Sequence, residues 1–213
     1  MNRFDRRRQV LAIGLAGMAG YVDAVGFLLA GGYFVSFMSG NTTRLAVNLA
    51  GYPATALVPA LLIAGFIGGV AAGSVVAARA GTRRKPAVLA LVCALVTAAA
   101  LANAAGHPGA APALLVLAMG ALNNTFQRGG DVAVGLTYMT GALVKLGQAL
   151  GALLLGQRRA GWGAFLLLWS GLAIGAVLGA LAWSHLAGGA LWFAAGWGLA
   201  MLALSLRLAP EAA

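Results

Sequence analysis

The sequence predicts an all-α integral membrane protein, six transmembrane helices in two inverted three-helix repeats, each with a polar broken or re-entrant segment. Three observations lead there. Only 8% of the 213 residues are charged and 62% are hydrophobic, whereas a soluble domain carries roughly 25% charged residues. Mean hydropathy over the chain is +0.91, which leaves too little polar surface to wet a globule. The cations gather in alternate breaks between apolar runs, and the sequence matches itself at a fixed offset. Soluble enzymes, disordered chains and disulfide scaffolds are excluded together.

The first element is the apolar run 10–30, preceded by Arg3, Arg6, Arg7 and Arg8. It is longer than the 7–15 residues of a signal-peptide core, and further apolar runs follow, so it reads as a first span. Spans two to six follow at 55–78, 87–105, 112–127, 162–184 and 189–207. Each is near the roughly 20 residues that a crossing needs. The breaks carry turn residues, including Gly51, Pro53, Gly81, Pro86, Gly106, Gly109, Gly188 and Gly189. Segments 31–50 and 129–156 are helix-like in length but rich in Ser, Thr, Asn or Gln, each with one cation within its motif.

Loop charge sets the orientation. With six crossings and a cytoplasmic N-terminus, eleven cations fall inside: Arg3, Arg6, Arg7, Arg8, Arg79, Arg83, Arg84, Lys85, Arg158, Arg159 and Arg207. The external breaks hold none, as the positive-inside rule requires. If both polar segments also crossed, the cluster at 79–85 would move outside. They are therefore expected to enter and return, or to lie along the surface. Both termini are cytoplasmic in this reading, in a bacterial inner membrane. The net charge of +10 belongs to this topology and not to nucleic-acid binding.

A gapless self-match at an offset of 101 covers both polar segments. Met38, Gly40, Leu45 and Leu49 fall on Met139, Gly141, Leu146 and Leu150. Ser36, Phe37, Ser39 and Arg44 fall on Thr137, Tyr138, Thr140 and Lys145. The same offset lays Asp23 on Asn124. Glycine ladders recur at Gly65, Gly69, Gly73 and at Gly171, Gly175, Gly179, giving flat helix faces of the GxxxG kind. One domain over 1–213 thus contains repeat one, 10–105, and repeat two, 112–207. Three crossings per repeat is odd, so the second repeat is inverted, and matched helix interruptions point to a transporter's binding site.

The segments 20–27, 37–42 and 137–147 resemble the YoaK-like family of uncharacterised bacterial inner-membrane proteins. The resemblance covers essentially the whole chain and implies a small polytopic membrane protein. It brings no activity with it.

The polar residues suggest where chemistry could lie. Asp23 sits within the first span, where a carboxylate costs about 2.5–3.5 kcal/mol on insertion scales. It could couple protons, balance a cation, or form a static pair with Arg44 or Lys145. Ser39, Asn41, Thr42 and Thr43, around Gly40, could cap a helix start and offer its amides to an anion. Arg44 would then lie in the first turn, against the dipole. The second copy keeps Thr140, Gly141 and Lys145 but lacks the asparagine and the two threonines, so a symmetric two-asparagine pore is disfavoured. Asn123, Asn124 and Gln127 could bind solute or tie helices together. Arg128 and Asp131 read as a local ion pair.

Other features are discounted. His107 and His185 have no partner at ligand spacing, so no metal is expected. Cys93 is a lone buried thiol, and the sequon at Asn41 is hidden by the topology. The five Trp residues mark interfaces, and the glycine ladders suggest helix seams or a homodimer contact. No nucleotide, zinc-hydrolase or serine-hydrolase motif occurs, so neither an enzyme nor a cofactor is expected.

The functional expectation is a secondary transporter of a small polar or anionic solute across the bacterial cytoplasmic membrane, with Asp23 as the residue that would couple a proton or balance charge. Its substrate site would comprise Ser39, Gly40, Asn41, Thr42, Arg44, Asn124, Thr140, Gly141 and Lys145. The expected partners are the bilayer and the solute. A passive channel and a non-transport scaffold are the alternatives.

Overall fold

In lipid, a chain of this composition satisfies its backbone only by forming helices. The computed structural model describes residues 6–107, 109–128, 131–132, 135–137, 139–157 and 161–208. Among these, eight α-helices follow one another: α1 (Arg6–Leu29), α2 (Met38–Gly51), α3 (Leu57–Ala80), α4 (Arg84–Ala104), α5 (Ala110–Leu122), α6 (Thr140–Leu154), α7 (Trp162–Leu186) and α8 (Ala190–Leu206). Three stretches are long and apolar enough to cross a membrane by length and composition: Arg6–Leu29, Pro53–Ala104 and Trp162–Leu206. The second and third each contain two helices separated by a short 3-10 turn. Each of the six apolar runs has become one helix, and the polar segments form two more, the short helices α2 and α6.

One boundary differs from expectation. The run 112–127 does not stay helical: α5 stops at Leu122 and a 3-10 turn covers Asn123–Thr125. Side chains there compete for the helix's own carbonyls. Asn123 Nδ2 donates to Met119 O (3.0 Å) and Thr125 Oγ1 to Leu122 O (2.7 Å). At 1.5 Å per residue the 13 residues of α5 reach about 20 Å, short of a hydrocarbon core of about 30 Å. Beyond it, Gln127–Arg128 and Asp131–Val132 pair as a minimal antiparallel ladder. The side chains of Gln127, Arg128 and Asp131 lie outside the described residues, and so does the ion pair expected of the latter two. Arg3, Tyr138, Arg158 and Arg159 are likewise outside them.

The glycine ladders are packing seams within one chain. A Cβ on Gly69 would overlap the Leu117 backbone of α5, and one on Gly175 the Gly17 backbone of α1. Gly20 is closed in the same way by Leu172, and Gly120 by Phe66. These glycines let backbones touch where side chains would hold them apart. The ladders spend their flat faces inside the monomer, which corrects the expectation of a homodimer contact through them.

The contacts also give directions. Ile13, Gly17 and Tyr21 meet Gly171, Gly175 and Gly179 in step, so α1 and α7 run the same way. Val116, Leu117 and Ala121 meet Gly65, Gly69 and Gly73 in step, so α3 and α5 do too. Helix α8 runs against α1, with Met201 on Gly14 and Trp197 on Gly17, and the Tyr21 hydroxyl donates to Ala190 O (3.0 Å). It also runs against α4, where Gly198 meets Cys93 and Gly188 meets Asn103. Packing is reciprocal between the halves: α1 lies on α7 as α5 lies on α3, α2 on α3 as α6 on α7, and α4 on α5 as α8 on α1.

The core centres on α1 and α5, where Leu11, Leu15, Met18, Leu115, Met119 and Leu122 are wholly buried. Leu61, Ile67, Ile174 and Val177, on the outer faces of α3 and α7, are each about 60% exposed. Apolar surface on this scale needs a lipid or protein partner, and a transmembrane chain supplies it with lipid.

Candidate functional site

Asp23 lies on α1, six residues before its end, or about 9 Å along the axis at 1.5 Å per residue. Its Oδ1 accepts from the Val35 amide (3.0 Å) and the Ser36 amide (2.7 Å). Asp23 thus accepts from two successive amides, as in a small nest, and it closes the chain leading from α1 into α2. Among the described residues it makes no ion pair. The expected alternatives of a partner in Arg44 or Lys145 are replaced by backbone donors three turns of chain away.

Asn41 braces the same turn from the other side. It is wholly buried, accepts from the Phe34 amide at Oδ1 (3.0 Å) and donates from Nδ2 to Phe34 O (2.7 Å). A side-chain amide paired with both groups of one backbone residue acts as a third strand of hydrogen bonding, and it leaves little for a solute. The expected helix caps do not form. Helix α2 starts at Met38 after Phe37, with no side-chain cap. The Thr42 and Thr43 hydroxyls bond back to Met38 O and Ser39 O of their own helix. Ser39, Thr42 and Thr43 are exposed, and Gly40 is packed against Phe34 and Phe37.

The two cations stack on rings. The Arg44 guanidinium lies 5.4 Å from the Tyr33 centroid, 5.8 Å from Phe27 and 5.9 Å from Phe34, within cation–π range. It occupies the second turn of α2, beyond the strongest part of the dipole. Lys145 Nζ lies 4.3 Å from the Phe165 centroid. Gly141 is exposed at the start of α6.

A cavity of about 450 Å³ opens where the halves meet. From the first half it is lined by α1 at Gly20, Asp23, Ala24, Phe27 and Leu28, and by the turn at Phe34, Ser36 and Phe37. The second half contributes Thr137, Met139, Thr140 and Leu143, with Leu172, Ala176 and Ala180 on α7. Among the described residues its walls are mostly apolar, with the rings of Phe27, Phe34 and Phe37 and the hydroxyls of Ser36, Thr137 and Thr140. Of the residues proposed from sequence, Asp23 and Thr140 line it. Ser39, Gly40, Asn41, Thr42, Arg44, Asn124, Gly141 and Lys145 do not. The polar turns do converge, but through the residues just before each short helix.

Ser36 and Thr137 line the cavity although neither was among the site residues expected from the sequence; their match at offset 101 is the signal that marks them.

Asn123 and Asn124 divide two roles. Asn123 exchanges hydrogen bonds with the Thr137 hydroxyl (3.1 and 3.2 Å), much as Asp23 holds Ser36. Asn124 Nδ2 donates to Val70 O on α3 (3.0 Å). Because Gly20 and Gly120 are packed alike, the counterpart of Asp23 is Asn123, one residue before the position that the 101 offset gives. Asn124 ties α5 to α3.

No group of three or more His, Cys, Asp or Glu residues that could hold a metal ion occurs among the described residues.

Comparison with known proteins fits a membrane protein of this kind. The family described as "Protein of unknown function (DUF1275)" matches residues 11–204. A UPF0700 transmembrane protein, RA0705 of Rhizobium meliloti (strain 1021), is 36% identical over 192 residues, covering 88% of this chain and 83% of the relative. No solved structure matches. The family membership suggested by the motifs at 20–27, 37–42 and 137–147 therefore stands, and the chain is a transmembrane protein that belongs to the DUF1275 family.

Proposed function

We propose that this protein is a secondary transporter of a small polar solute across the bacterial cytoplasmic membrane. Six crossings, in two inverted three-span repeats with both termini cytoplasmic, would carry it. The parallel pairs α1–α7 and α3–α5, and the reciprocal packing of the halves, support that architecture. So does the placement of Arg79, Arg83, Arg84 and Lys85 together at the turn between α3 and α4.

The observation that carries the functional reading is the cavity of about 450 Å³ at the seam, with one carboxylate and hydroxyls from both halves in its wall. Transporter sites lie at repeat interfaces, where discontinuous helices expose polar groups. An intramembrane carboxylate without a cationic partner is a functional candidate. Ser36, Thr137 and Thr140 would contact the solute, and Asp23 would bind a proton or balance charge. Tilting one half against the other along the glycine seams would open the cavity to each side in turn. Neither expected cation lines the cavity: Arg44 stacks on Tyr33 and on Phe27 and Phe34 of the wall, and Lys145 stacks on Phe165 outside it, so the anionic form of this reading is dropped.

The test is solute counterflow in vesicles reconstituted with the full chain. Saturable exchange that Asp23→Asn slows at least tenfold supports a transporter. Conductance linear in solute concentration would replace it with a channel. Failure of every solute to exchange or conduct would leave a scaffold.

A further inference from the structure

We propose that the seam cavity takes a small organic ammonium ion, a protonated amine on an apolar body. This rests on the transporter reading and names its substrate class. Among the described residues lining the cavity, Asp23 alone bears an ionisable acid or base. Its Oδ1 accepts from both the 35 and 36 amides, and donors of this kind favour the charged form of a carboxylate. With Asp23 ionised, the field in the cavity is that of an anion, strengthened by apolar walls that exclude screening water.

The walls provide the rest of an ammonium site. Phe27 and Phe34 lie 4.8 Å apart between centroids, and Phe34 meets Phe37 edge-on at 5.2 Å. Aromatic faces beside a carboxylate attract a desolvated cation, and the Arg44 guanidinium resting over Phe27, Tyr33 and Phe34 is a cation already held by this cluster. Hydroxyls of Ser36 and Thr140 can accept from N–H. A bare metal ion would need several oxygen ligands in a close shell, whereas these walls are largely hydrocarbon. The volume falls in the range of small-molecule pockets, with room for an apolar body as well as the charged head.

Benzylammonium, benzyl alcohol and benzoate share one ring and differ in charge. Their binding to the full chain in lipid nanodiscs is measured by calorimetry, with empty nanodiscs subtracted. Benzylammonium is expected to bind at least ten times more tightly than the other two. Asp23→Asn should cost at least tenfold, Asp23→Glu much less, and Ala180→Phe, which fills the cavity without touching charge, should abolish binding. Arg44→Gln should leave benzylammonium affinity equal or higher.

Equal or tighter binding of benzoate overturns the proposal, and so does benzylammonium affinity indifferent to both Asp23→Asn and Ala180→Phe. Should Asp23→Asn fail to fold, the charge series and Ala180→Phe decide alone. Failure of all three compounds to bind also overturns it. If counterflow with another solute then persists, only the substrate class has failed. If no solute exchanges, the transporter reading has failed with it.

Discussion

Asn41 illustrates how a polar residue in lipid can be structural without being inert. Both ends of its amide are engaged by one backbone residue, Phe34, whose ring walls the cavity. Removing the amide strands a buried N–H and C=O, at about 1–3 kcal/mol for each group left unsatisfied. Asn41→Ala is expected to lower the thermal midpoint of the purified protein clearly and to abolish counterflow. Thr42→Ala and Thr43→Ala, which lose only hydroxyls bonded back within α2, should leave both unchanged. A second residue-scale test lies at Ala187. Its φ of 44° is the one positive value at a non-glycine among the described residues. Gly81, at the corresponding end of α3, has φ 53° and ψ −117°, against 44° and −124° at Ala187. The two halves use the same backbone bend, but only the first fills it with the residue that tolerates it. Ala187→Gly should stabilise the protein by about 1 kcal/mol, read as a higher unfolding midpoint in detergent.

The glycine seams decide what holds the helices together at the element scale. Burial of apolar surface drives little association in lipid, so close backbone approach and dispersion carry the load. Gly175→Leu would push α7 off α1, and Gly69→Leu would push α3 off α5. Both should destroy the folded, monodisperse protein on size-exclusion chromatography. Gly147→Leu and Gly163→Leu are the controls, since nothing lies within 4 Å of a Cβ at either position, and they should purify like wild type. These seams were half legible in the sequence. Spacing of four residues identified each ladder, but not the helix that each would face, because small residues say how close a neighbour comes and not which neighbour it is. The six apolar runs were legible for a firmer reason: lipid leaves them no other conformation. The end of α5 was not, because hydropathy is blind to the side-chain hydrogen bonds of Asn123 and Thr125 that stop it. At the site, Asp23 and the pairing of Ser36 with Thr137 could be read from the chain. The burial of Asn41 and the stacking of Arg44 on rings could not, since both depend on how the 32–37 turn folds back onto α1.

Considered as a whole molecule, the chain presents a problem of handedness in the membrane. Its halves pack reciprocally, so either orientation would bury the same surfaces, and packing alone cannot choose between them. Charge can. Arg79, Arg83, Arg84 and Lys85 cluster at one turn, whereas the breaks near 107 and 187 carry no Lys or Arg. Moving four such cations through the bilayer is opposed by the rule that retains Lys and Arg on the cytoplasmic side. With the six crossings proposed, the directions of α1, α3, α5 and α7 would put residues 82 and 157 on that side and residues 107 and 187 on the other. Thr82, His107, Gln157 and Ala187 are all exposed, so each can carry a reporter cysteine, and the native Cys93 is buried. In intact bacterial cells a membrane-impermeant maleimide should label His107→Cys and Ala187→Cys and spare Thr82→Cys and Gln157→Cys until the membrane is opened. The reverse pattern would turn the molecule over and leave the repeats intact. Labelling of 82 and 107 on the same side would be graver, because α4 would then not cross, and a cavity between oppositely directed halves would have no two faces of the membrane to connect.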